Sequence, residues 1–123
     1  MIDQRVSKLY AYFDRQISLC HQRNQDLLAD DRMDEATFEK IRANVYDIFR
    51  TILSVAAKAA KNDPEEVKQA FALKAEQIPS NWNIAYEKAK QHDDAVKMKI
   101  EQIKLDTIHE IKETFIRIWE GEE

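Results

Sequence analysis

The sequence predicts an all-α protein: an antiparallel up-down helical bundle of three long helices plus one, third in chain order, broken near Pro79. Three observations carry this. The chain has one glycine and two prolines in 123 residues, where average usage gives about eight or nine and about six. Apolar residues recur at three- and four-residue intervals over long stretches. Aspartate-centred boundaries separate those stretches. So few turn residues leave little room for hairpins, sandwiches or barrels. The lone glycine, Gly121, stands near the end of the chain, so there is no glycine-rich loop to cradle a phosphate. The length fits one domain, residues 1–123.

Helix 1 is expected from about Asp3 to Ala29. Val6, Phe13, Cys20 and Leu27 recur every seven residues, with Leu9, Tyr10 and Ile17 filling the turns between. Asp3 is a plausible N-cap, and Asn24 puts a polar group on the buried side. After the break at Asp30-Asp31-Arg32, Asp34 can cap helix 2, with Met33 and Phe38 as a hydrophobic staple. Helix 2 has the cleanest stripe: Phe38, Ile41, Val45, Ile48, Ile52, Val55 and Ala59. Phe49, Leu53, Ala56 and Ala60 widen it to about half the circumference, as in an element with several neighbours.

Asn62-Asp63-Pro64-Glu65-Glu66 is the strongest boundary. Asp63 caps, Pro64 takes the first helical position, and the glutamates meet the positive end of the dipole. Val67, Phe71 and Ile78 share a face of the following helix, with Lys74 in its midst and Leu73 pointing away. Pro79 is expected to end this piece and Ser80 to cap the next, which carries Trp82, Ala85, Tyr86 and Ala89. The two pieces either lie end to end or fold back as a hairpin. Asp93 is read as the N-cap of the last helix, from about Asp94 to Trp119. Its stripe is Val96, Ile100, Ile103, Ile111, Phe115 and Ile118, with Ile108 and Trp119 alongside.

Nineteen basic and 23 acidic side chains give a net charge of −4, with both signs interleaved along every segment. That disfavours nucleic acid, whose binders carry a basic stripe. Residues 79–91 nevertheless give an alternative reading, with Pro79-Ser80 as the bend of a helix-turn-helix and Asn81, Asn83, Lys88 and Lys90 beyond it. Met1-Ile2-Asp3-Gln4-Arg5 lacks a basic region followed by an apolar run, so no secretory signal is expected. Nor is a membrane span, because the apolar runs are short. One cysteine cannot form an internal disulfide, which fits a reducing, cytoplasmic setting. The acidic Glu120-Gly121-Glu122-Glu123 is read as a frayed end.

Chemistry-bearing clusters are sparse. Asp106 and His109 resemble half of a bundle metal motif but lie away from the isoleucine stripe, as a solvated pair would. His21 and His92, at the edges of apolar faces, could approach each other and with Asn24 hold a metal or small ligand. They bring no inward carboxylate, so no metal or cofactor is expected. Cys20 occupies a core position, where burial makes a thiol inert. Asp30-Asp31, Glu65-Glu66 and Asp93-Asp94 serve helix ends, so no catalytic residue is expected.

The suggestive feature is apolar surface away from the stripes. Tyr12 and Leu73 lie off theirs, and Met98, Leu105 and Ile116 form a second line on the last helix. These five are the candidate interface residues. The expectation is a non-enzymatic protein–protein interaction module, an adaptor, regulator or inhibitor, that forms a homodimer through the C-terminal helix and meets another protein as well.

Overall fold

The computed structural model describes residues 3–61 and 63–121. The Met1–Ile2 start, Asn62 of the strongest boundary and the Glu122–Glu123 tail lie outside the described residues. Four helices follow in order: α1 (Gln4–Ala29), α2 (Met33–Ala59), α3 (Pro64–Gln91) and α4 (Ala95–Trp119). Cross-helix pairs fix the directions. Asp14 meets Arg50 and Asn24 meets the Ala36 carbonyl, so α1 and α2 are antiparallel. Glu76–Lys112 and Trp82–Lys104 run α3 against α4, whereas Phe38–Lys99 and Tyr46–Glu110 run α2 parallel to α4. The fold is an all-α, up-down-up-down bundle in which α1 grips α2, α3 grips α4, and α1 touches α4 only sparingly and α3 still less.

Local chemistry accounts for the helix ends. Asp3 caps α1 by accepting the Arg5 backbone N–H at 2.8 Å. The Arg5 side chain bonds the same carboxyl and holds it below the usual carboxylate range. Asp63 caps α3 by accepting from the Glu65 and Glu66 amides, with Pro64 at the first helical position. Asp94, not Asp93, caps α4, accepting from the Lys97 amide at 3.1 Å. Asp93 instead stands in the left-handed region at φ 53°, as do Asp31 (56°), Lys61 (51°) and Gly121 (75°). Each lies two residues beyond the last residue of its helix. There a left-handed step lets amides past the turn reach back to open carbonyls: Arg32 N–H to Leu27 and Asp94 N–H to Ala89, both at 2.9 Å.

Helix 2 departs from expectation at its start and in its rotation. Its first residue is Met33, which is exposed, and Asp34 lies inside the first turn, so neither the Asp34 cap nor the staple forms. The left-handed turn at Asp31 delivers the chain into the helix one residue early. The buried face centres on Val45, Phe49, Leu53, Ala56 and Ala60 and turns toward α1 through Ala36, Ala43 and Ala57. Those alanines let the α1 backbone come close. Ile48 and Val55 are consequently rotated out to solvent.

Pro79 does not break the third helix. The chain stays helical from Pro64 to Gln91, with Pro79 buried and Ser80 exposed within it rather than capping a new piece. An interior proline removes one backbone hydrogen bond and crowds the preceding turn, at about 3 kcal/mol. Packing on both sides offsets this: Val67, Phe71 and Ala75 are buried before the proline, and Ala89 after it. At the centre each helix contributes one phenylalanine. Phe71 of α3 stacks on Phe115 of α4 at 4.6 Å between ring centroids and meets Phe49 of α2 at 6.0 Å and Phe13 of α1 at 6.4 Å.

Candidate functional site

Two surfaces stand out, one on each edge of α2. The first is a polar seam between α1 and α4, with α2 as its floor. At one end the Arg5 guanidinium lies over the Trp119 ring, 4.6 Å from its centroid, and closes the seam. Further along, Tyr12 of α1 and Tyr46 of α2 both donate to the same oxygen of Glu110 on α4, Tyr12 at 2.9 Å. Burial is the main cause that pushes both phenols well above their ordinary value, and the Glu110 carboxylate acts in the same sense. The Cys20 thiol is pushed up to about 11, first by burial and then by the Glu39 charge.

Beyond Tyr46 the seam widens, because α1 and the first half of α4 stand apart. A hollow of about 100 Å³ beside Arg42, Tyr46 and Glu110 leads to a cleft of about 580 Å³. The floor of the cleft is Phe38, Glu39 and Arg42, with Arg23 and Leu27 on the α1 wall and Lys99 and Ile103 on the α4 wall. Glu39 is 4% exposed. Its Oε2 accepts from Arg42 at 2.5 Å, while Arg23 stands 3.6 Å from its Oε1. Oε1 accepts no hydrogen bond among the described residues.

The second surface is a groove of about 280 Å³ between α2 and α3. Ile52, Val55, Ala56 and Ala59 line it from α2 and Ala70 and Leu73 from α3, with Thr51 and Lys74 at its edge. Val55 is 62% exposed and Leu73 57%. Ile48, on the same edge of α2, is exposed as well.

The expected interface residues are scattered. Leu73 belongs to the α2–α3 groove. Tyr12 is half-buried in the seam, its ring 5.3 Å from Phe13 and 6.0 Å from Tyr46. Met98 and Leu105 are half-buried, so of the second line on α4 only Ile116 is exposed. His21 and His92 are exposed. His109 pairs with Glu113 at 3.0 Å rather than with Asp106, which accepts from Gln102. No group of side chains able to hold a metal occurs among the described residues. Asn24 donates to the Ala36 carbonyl at 2.7 Å and so ties α1 to α2. The bend that a helix-turn-helix over 79–91 requires is absent, since α3 runs through it.

Sequence reasoning missed Glu39, Arg42, Tyr46, Lys99, Glu110 and Arg23. A signal existed for the α2 members: Ala36, Glu39, Ala43 and Tyr46, at 3-4-3 spacing, form a second stripe beside the apolar one. Small residues flanking an acid on a helix face mark where a neighbouring helix comes close over a charged group.

Compared with known proteins, the chain matches no protein family, and no curated protein or solved structure resembles it at a significant level. Among the described residues no helix is long and apolar enough to cross a membrane.

Proposed function

We propose that the protein is a non-enzymatic interaction module that works through its α2–α3 face, where it pairs with a second copy of itself. The observation that carries this is the exposure of Val55 and Leu73 across one groove. Large apolar side chains gathered on one face mark an association surface, whereas scattered ones do not. The occupant is a second copy because the face offers an antiparallel helix pair with a single charged lining residue, Lys74. Two such pairs stack about a two-fold axis with Lys74, at the edge of the groove, as the one like charge that each copy brings. The interface thus moves from α4 to α2–α3, because Met98 and Leu105 are already half-covered within one chain. A reducing, cytoplasmic setting accords with a single buried thiol.

The test is mass in solution by native mass spectrometry. The wild type is expected at twice the 14.5 kDa of one chain. Leu73→Glu and Val55→Glu are expected as monomers with full helicity, and Ile116→Glu as a dimer. A monomeric wild type overturns the reading, and so does a dimer indifferent to Leu73→Glu. A heterologous helical partner would show as a monomer that dimerises only when that partner is added.

A further inference from the structure

We propose that the cleft between α1, α2 and the first half of α4 is a binding site for a small organic monocarboxylate with an apolar body. The argument begins with Glu39. A carboxylate this buried is costly unless compensated, and two guanidiniums from two helices flank it, Arg42 at 2.5 Å and Arg23 at 3.6 Å. It lies beside both as their shared counter-charge. Their donors are hardly used: Arg42 gives Glu39 one N–H, and 3.6 Å is too long for a hydrogen bond from Arg23. Both guanidiniums remain open to the cleft, with side-chain exposures of 40% and 54%. A guanidinium fork matches the two oxygens of a carboxylate.

The charge of the cleft selects the class of anion. Lys99 lies 5.9 Å from the Phe38 ring and meets no carboxylate among the described residues. The lining carries three cations and three carboxylates, Asp26, Glu35 and Glu39, and the fork of Arg32 engages Glu35 from outside it. A monoanion adds the least charge to this balanced lining, whereas a phosphate dianion would leave the site doubly negative. Phe38, Leu27 and Ile103 supply apolar wall beside the cations. The volume, about 580 Å³, lies within the range of roughly 300–1,000 Å³ typical of small-molecule sites. The second observation is the buried Glu39 Oε1 that accepts no hydrogen bond. Glu101 Oε2, outside the cleft lining, is the other such oxygen among the described residues, and acceptors of this kind are few in a finished core. A ligand drawing Arg23 inward brings a donor to it.

The experiment is a two-dimensional NMR titration of the full chain with 3-phenylpropionate, its neutral amide and inorganic phosphate, each alone. The carboxylate is expected to bind saturably with a Kd of about 1 mM or tighter, shifting the Arg23 and Arg42 Nε–H signals and the Phe38 amide. The amide is expected at least about tenfold weaker, the loss of one well-placed charge-assisted contact. Arg42→Ala strands Glu39 and risks the fold. Arg23→Gln and Lys99→Gln, on more exposed side chains, therefore carry the test, each weakening the carboxylate several-fold. Leu73→Glu is expected to bind it unchanged, which separates this site from the dimer face. Equal binding of acid and amide overturns the proposal, as does a response to phosphate alone or no shift at the cleft.

Discussion

The two edges of α2 face opposite problems. Toward α3 it presents Ile48, Ile52, Val55 and Ala59, apolar groups with too little protein over them. Toward α1 it presents Ala36, Glu39, Ala43 and Tyr46, a stripe that includes polar groups with too little water over them. An exposed valine or leucine costs a monomer almost nothing and simply forgoes a gain. A buried carboxylate or phenol must find partners on neighbouring helices. The apolar edge therefore bears on what the molecule meets, and the polar edge on how α1, α2 and α4 are held. Local geometry reflects this, because Tyr12, Tyr46 and Asn24 reach across helix boundaries and Glu39 toward two guanidiniums.

The largest effect lies between the edges, at Phe71, whose ring touches a phenylalanine from every other helix. Phe71→Ala should cost about 3–5 kcal/mol in denaturant unfolding and weaken both surfaces together. Arg42→Ala comes next, at about 2 kcal/mol, because it leaves Glu39 buried beside a single distant guanidinium. Adding Glu39→Leu should restore most of that loss, since replacing a buried pair by an apolar side chain is often neutral. A double variant as unstable as Arg42→Ala alone would show that the damage is not the stranded charge.

Tyr46→Phe removes a hydroxyl bonded to a carboxylate and should cost about 1.5 kcal/mol. It should also change the alkaline limb of stability. Tyr12, Tyr46 and Cys20 have folded values raised above their ordinary 10, 10 and 9. The unfolded chain therefore loses these protons first as pH rises. Their contribution is complete below about pH 9 and drains away above it, as pH climbs toward the folded values. Urea midpoints measured from pH 8 to 11 should fall for the wild type and less steeply for Tyr46→Phe. The smallest effect belongs to the apolar edge. Val55→Gln and Leu73→Gln should leave the stability of the dilute monomer within about 0.5 kcal/mol while abolishing the dimer.

Much of the fold was legible in the sequence because capping chemistry and helical period are local. Asp63 with Pro64 announced α3, and the heptad through Val6, Phe13 and Cys20 announced the core of α1. What was not legible depended on neighbours. A half-circumference stripe on α2 fits several rotations, and only the close approach of α1 at Ala36, Ala43 and Ala57 decides between them. Pro79 reads as a stop in isolation, yet buried residues on either side carry α3 past it. Met98 and Leu105 looked free on a helical wheel because a wheel does not show how far a neighbouring helix reaches round. Glu39, an acid among acids, became notable only once α1 lay over it.

The four left-handed helix ends have a consequence for the unfolded chain. Only the last uses glycine; Asp31, Lys61 and Asp93 hold the same conformation with side chains that resist it. Each adds strain to the native state, but each also leaves the denatured chain with fewer conformations than glycine would. Putting glycine at these turns would relax the folded molecule and loosen the unfolded one, and the two changes partly cancel. A chain with one glycine in 123 residues thus owes part of its stability to the narrowness of the ensemble it folds from.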